Sequence, residues 1–156
     1  MPAFDKAVFA FVCLVFSTLS VANEGDKQRW PSHPVPTRTA DVAAYNRAIK
    51  LRPSLERCLK NDGGTTPGMR DCLNNEHAYQ DERLNKSYQK LMSTLGEVDR
   101  RSLRNEEKAW ISFRDEYCAL DPEPGQAQEL DQLECLVDQT ADRATELESR
   151  IAVGTP

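Results

Sequence analysis

Residues 69–118 read MRDCLNNEHAYQDERLNKSYQKLMSTLGEVDRRSLRNEEKAWISFRDEYC, and this stretch decides the fold. Leu84, Tyr88, Leu91 and Leu95 advance by four, three and four, which makes one apolar stripe on a helix. Gly96 ends that helix. Asp99 can cap the next, which carries Leu103, Trp110, Phe113, Tyr117 and Leu120 to a stop at Pro122. Upstream, Thr66-Pro67 reads as a cap followed by proline in the first turn. Downstream, Pro122 to Gly125 forms a loop. Then Leu130, Leu133, Val137, Thr140, Ala144, Leu147 and Ile151 recur at three and four, the seam of a helix lying along another at a shallow angle.

A shorter helix is expected from about Ala40 to Leu51, capped by Thr39, with Val42, Tyr45 and Ile49 on one face. Pro53 interrupts it and starts a short turn carrying Leu55 to Leu59, and Asn61-Asp62-Gly63-Gly64 breaks the chain. No strand pattern and no internal repeat is present. The expected fold class is therefore all-α: an antiparallel bundle of three long helices plus a short N-terminal helix.

The first residues have another character. Residues 7–22, AVFAFVCLVFSTLSVA, form an apolar run ending in Ser20-Val21-Ala22, so a signal peptide over 1–22 is expected. Its n-region is weak, since Asp5 offsets Lys6. As a helix the run is ~24 Å long, short of the ~30 Å hydrocarbon core, which argues against an uncleaved anchor. Residues 23–38, with Pro31, Pro34 and Pro36, read as a flexible leader, in which Trp30 is a lone aromatic. The helical domain is expected over 39–153.

Beyond the signal stand Cys58, Cys72, Cys118 and Cys135. Four cysteines in a small exported domain read as two disulfides in an oxidising compartment. Zinc would want cysteines in close pairs, and no two here lie within four residues of each other. Alternating helix directions bring all four to one end, so three connectivities stay open. Cys58–Cys72 with Cys118–Cys135 closes the nearest loops and is the favoured one.

The net charge is −5 and unevenly spread. Arg100, Arg101, Arg104, Lys108 and Arg114 form a basic cluster. No cation then follows until Arg143, while Asp115, Glu116, Asp121, Glu123, Glu129, Asp131, Glu134, Asp138 and Asp142 accumulate. An acidic segment argues against nucleic acid and favours a basic protein partner. Asp121, Glu123, Glu129, Asp131 and Glu134 are the candidate partner-binding residues; the rival reading is a solvated helix face with carboxylates near a helix start.

Signs of catalysis are sparse. His33 lies in the Pro-rich leader, and His77 lies on a helix with no second ligand at metal-binding spacing. No glycine-rich phosphate loop follows a strand, so neither a catalytic residue, a metal nor a cofactor is assigned. Glu76 and Asp81 stand five apart on one helix, off a common face, and are read as ion-pair partners for Arg114. Asn85 is expected to bond a neighbouring element, and Tyr88 and Trp110 to be core aromatics with a polar tip. With Asp115 these make a framework set.

The order Met69, Cys72, Glu76, Asp81, Leu84-Asn85, Tyr88, Leu91, Ala109-Trp110, Phe113-Arg114-Asp115 and Cys118, answered by Cys135, Thr140, Arg143 and Leu147, resembles the lysozyme inhibitor LprI-like family of small secreted bacterial proteins. The resemblance covers about Cys58 to Ile151. It departs at Glu107, where Gln is frequent in such proteins, and at Gly125-Gln126, where Gly-Ser is frequent. It implies a periplasmic or secreted protein that binds a basic lysozyme-like enzyme, without catalysis and without membrane contact once the signal is removed. The alternative is a structural or assembly module of the cell envelope that binds another periplasmic protein.

Overall fold

The computed structural model describes residues 30–154 apart from 34, 38, 63, 121, 123 and 124. The expected signal peptide, most of the leader, and Asp121 and Glu123 lie outside the described residues. Five helices follow in order: α1 Thr39–Ala48, α2 Pro53–Asp62, α3 Thr66–Thr94, α4 Glu97–Tyr117 and α5 Gln126–Val153. Among the described residues there is no strand.

Local chemistry sets the helix ends, with two corrections. The cap of α3 is Thr65, not Thr66: its hydroxyl accepts the Gly68 N–H at 3.2 Å. Pro67 has no N–H to offer, so the first orphan donor that a threonine can reach is on Gly68. Gly68 is required there for a second reason. A Cβ on it would lie 2.2 Å from the Asp62 carbonyl oxygen, where the end of α2 crosses the start of α3. The cap of α4 is Gly96, not Asp99; Asp99 instead joins Glu97 in the first turn, where the helix dipole favours carboxylates. The helix also ends earlier than Pro122, at Tyr117, so Tyr117 is exposed and stacks on Phe113 with ring centroids 5.3 Å apart. The turn after Pro53 is a full ten-residue helix, α2, so the short helices number two rather than one.

Two disulfides staple the chain, Cys58–Cys72 and Cys118–Cys135. The first ties α2 to α3 and the second ties the end of α4 to α5. Each closes a loop of roughly fifteen residues, which is worth about 3 kcal/mol on the chain-entropy model.

Helix α5 is central. It contributes to each of three apolar clusters: Ala144 and Leu147 with Leu84, Leu91, Leu95, Leu103 and Trp110; Val137 with Leu55, Cys72 and Leu73; Ala141 with Tyr45 and Ile49. Residues 139–144, Gln-Thr-Ala-Asp-Arg-Ala, are all buried, so this part of α5 is enclosed on every side. A helix enclosed all round is normally apolar all round. Here Asp142 and Arg143 are enclosed too, and each has partners.

Pairs along the helices fix their relation. On α3 and α5 partners rise together, from Arg70–Glu129 to Arg83–Glu148. On α4 and α5 they run oppositely, from Cys118–Cys135 through Glu107–Arg143 to Glu106–Arg150.

Candidate partner-binding surface and its charged framework

The framework residues separate into two groups. Glu76 is buried and pairs with Arg52, not Arg114: Arg52 Nε donates to Glu76 Oε2 at 2.8 Å and the Arg52 N–H to Oε1 at 3.1 Å. Gln80 Nε2 donates to the same carboxylate at 2.7 Å, and Arg52 also lies over the Tyr79 ring. Glu76 points toward the α1–α2 junction while Arg114 is on α4, and a residue at 52 lay outside the stretch on which the Arg114 pairing was expected. This knot anchors the short helices to α3.

Asp81 is exposed and does not pair with Arg114 either; it accepts from Asn85 Nδ2 at 3.0 Å on its own helix. Asn85 is thus exposed and bonds within α3, not across to a neighbouring helix. Arg114 donates to the adjacent Asp115 from Nε at 3.0 Å and Nη2 at 2.7 Å, and its guanidinium lies over the Trp110 ring. Trp110 is core and Tyr88 packs against that core. These residues nonetheless meet: Asp81, Asn85, Tyr88, Trp110 and Arg114 line one cleft of about 340 Å³ between α3 and α4, closed by Arg104 and Lys108. The cleft carries both signs of charge. His77 stands on α3 with Nε2 unpartnered; burial lowers its pKa, opposed by Asp81 and reinforced by Arg114.

Arg143 is the charge that sequence reasoning left without a role. Its side chain is fully buried. It donates to Glu106 at 2.8 Å, to Glu107, and to Glu146 at 2.5 Å. Arg150 shares Glu106 at 2.8 Å. Burial pushes the Glu107 carboxyl upward, and Arg143 pulls the other way. The face of Arg143 is covered by Trp30, whose ring also meets Phe113 at 5.9 Å. The end of the expected leader therefore lies on α5. Asp142 holds it: the Ser32 N–H donates at 2.6 Å, the His33 N–H at 3.2 Å, and His33 Nδ1 contacts the other carboxylate oxygen.

The acidic segment is smaller on the surface than its sequence. Asp142 is turned inward to the Ser32–His33 turn, and Asp138 is half-buried against α1. Asp115, Glu116, Glu129, Asp131 and Glu134 are exposed, with Glu129 paired to Arg70. The basic residues Arg100, Arg101 and Arg104 are near the α4 start, roughly 20 to 30 Å along the helix from Cys118. Arg100 is committed to the Met92 carbonyl at 2.9 Å.

Asp138 has an unusual setting. Burial first, then Glu134 and Asp142, push its carboxyl up to about 7, with the Tyr45 hydroxyl pulling the other way. Burial and the nearby Asp138 and Asp142 push Tyr45 upward in turn.

Among the described residues, one group has ligand atoms close enough to hold a metal, Cys58, Asp62 and Cys72. Its two sulfurs are joined in a disulfide, so neither is a thiolate. No helix among the described residues is long and apolar enough to cross a membrane.

The fold and these pairs define the class: an all-helical module over the described residues, doubly disulfide-linked, with the buried Arg143 held by carboxylates. The chain belongs to the lysozyme inhibitor LprI family, whose model matches residues 58–147, more than half of the chain. No curated protein and no solved structure matches it.

Proposed function

We propose that this protein is an exported inhibitor of lysozyme-type peptidoglycan hydrolases that acts by covering the enzyme's surface, without catalysis of its own. The observation that carries this reading is the family match over residues 58–147. The scaffold we infer is an antiparallel bundle of α3, α4 and α5 over 39–153, with α1 and α2 on its flank and the signal peptide of 1–22 removed on export to the periplasm or beyond. Such a scaffold suits the task, because an inhibitor has to present a fixed surface and lose little freedom on binding.

Exposed Glu129, Asp131 and Glu134, with Asp121 and Glu123 next to them in sequence, supply the negative potential that steers a basic enzyme into contact. Arg100 and Arg101 are too far along α4 to share that contact. The test is a lysis assay with oxidised protein against several muramidases at two ionic strengths. Stoichiometric inhibition that weakens above ~0.1 M salt supports the reading. Absence of inhibition favours an envelope-assembly role instead.

A further inference from the structure

Next to the exposed acids, α1, α2 and α5 enclose a groove of about 600 Å³. That volume is within the ~300–1,000 Å³ typical of ligand pockets. Its walls include Val42, Leu55, Leu59 and Val137, and Val35 and Val42 at the mouth are exposed. One buried polar group stands in this apolar setting without satisfaction, and a carboxyl lies beside it. Tyr45 is only 7% exposed, and its hydroxyl makes no hydrogen bond of normal length and angle, although Asp138 is beside it. Buried hydroxyls are nearly always bonded. Among the described residues, the groups acting on Asp138 are Glu134, Asp142 and Tyr45, and none of them is a cation. Arg47 and Arg52 line the groove; Arg52 is spent on Glu76 and the Asn75 carbonyl, and Arg47 is exposed on α1.

We propose that this groove receives a lysine or arginine side chain projecting from the basic partner enzyme, with its aliphatic stem along Val42, Leu55 and Val137 and its charged head on Asp138, Glu134 and the Tyr45 hydroxyl. The proposal deepens the inhibitor reading and rests on it for the identity of the occupant. A cation there offsets the repulsion among Asp138, Glu134 and Asp142 and donates to the Asp138 carboxylate, and a long basic side chain matches apolar walls with a polar floor. The site adjoins Glu134, so it extends the acidic surface. Tyr45, Val42, Leu51 and Leu55 precede residue 58, where the family match begins. Most of the groove's lining therefore lies outside the family-matched stretch, which makes it a place where partner choice can be set on a shared scaffold.

Asp138 is faced by Tyr45 from α1 and by Glu134 and Asp142 from α5; Arg47, Arg52 and Glu56 line the same groove, and His33 of the N-terminal segment is on Asp142. A bound cation favours the charged carboxylate, so affinity should fall as pH drops from 8 to 6.

Two experiments separate the site from the occupant. First, n-butylguanidinium is titrated into the oxidised protein and followed by NMR. Saturable shifts at Tyr45, Val42 and Val137 are expected, lost in Asp138→Asn and weaker at pH 6. No shift at Tyr45 and Val137 overturns the groove as a cation site. Second, Kd is measured for a C-type lysozyme. Asp138→Asn, and Val42→Trp placed at the exposed mouth to fill it, should each raise Kd about 30-fold or more. Inhibition by wild type with both variants equally tight sinks the groove and leaves the inhibitor reading intact. Guanidinium binding without inhibition of any lysozyme sinks the enzyme as occupant.

Discussion

Replacing Asp138 by asparagine should make the protein more stable, and only above a definite pH. The carboxyl is pushed up to about 7 in the folded protein, chiefly by burial against α1 with Glu134 and Asp142 adding repulsion. In the unfolded chain it titrates near 3.9. The folded state thus holds a proton that the unfolded state has released throughout the interval between. Stability contributed by this group is full below about pH 4, falls as pH rises through the interval, and levels off above about 7. A difference of about three pKa units at about 1.4 kcal/mol each sets a ceiling near 4 kcal/mol. Partial exposure and relaxation reduce it, so about 2 to 3 kcal/mol is expected at pH 8. Asparagine keeps the shape and cannot charge. Urea denaturation of both proteins at pH 4, 6 and 8 reads the difference: near zero at pH 4, growing to pH 8 in favour of Asp138→Asn. Parallel stability curves across that range would falsify the account of the α1–α5 contact, and with it the support for a carboxylate held in the groove among like charges.

Other outcomes follow from the same contacts. Arg143→Met takes the buried guanidinium away from half-buried Glu107 and Glu146 and should cost about 3 kcal/mol in urea denaturation; a loss under 1 kcal/mol would contradict the network around Arg143. Adding Glu107→Gln to that variant should recover part of the loss, since burial already holds the Glu107 carboxyl above its ordinary range. Serine at both Cys58 and Cys72 should lower stability by about 3 kcal/mol, and unchanged stability would mean the α2–α3 corner needs no staple. Lysine at both Asp131 and Glu134 should slow association with a basic lysozyme at low salt while the melting curve stays nearly unchanged; stopped-flow rates equal to wild type would remove the acidic surface from the encounter.

The helices were legible because their signals are local. The Leu84–Leu95 stripe, the proline after Thr66 and the glycine at 96 each act within one or two turns. The favoured cysteine pairing could be chosen because loop closure depends on sequence separation, and the bonded pairs are those with the nearest partners. Charge partners were not legible. Glu76 chose Arg52, 24 residues upstream, over Arg114 because the α1–α2 junction folds back onto α3. The burial of Asp142 and Arg143 was hidden for a related reason. Both sit at positions that a one-faced helix would turn to solvent, and only the docking of Trp30 to His33 on one side and of Glu106 and Glu107 on the other makes α5 enclosed. A clue existed in Glu106-Glu107 and Glu146 around a single downstream arginine, but it specifies no partner without the packing. The Asp138–Tyr45 groove was likewise unreadable, since it needs α1 laid beside α5.

A cross-linked helical protein that works by occupying a lysozyme-type enzyme should silence that enzyme's turnover. Cleavage of purified peptidoglycan by a C-type lysozyme, followed while oxidised protein is titrated in and repeated after disulfide reduction, tests this most directly. Turnover should fall to a low plateau near equimolar inhibitor, return as the disulfides are reduced, and leave peptidoglycan untouched by the inhibitor alone. Full lysozyme turnover at excess oxidised protein across a panel of muramidases, or peptidoglycan cleaved by the protein itself, would contradict it.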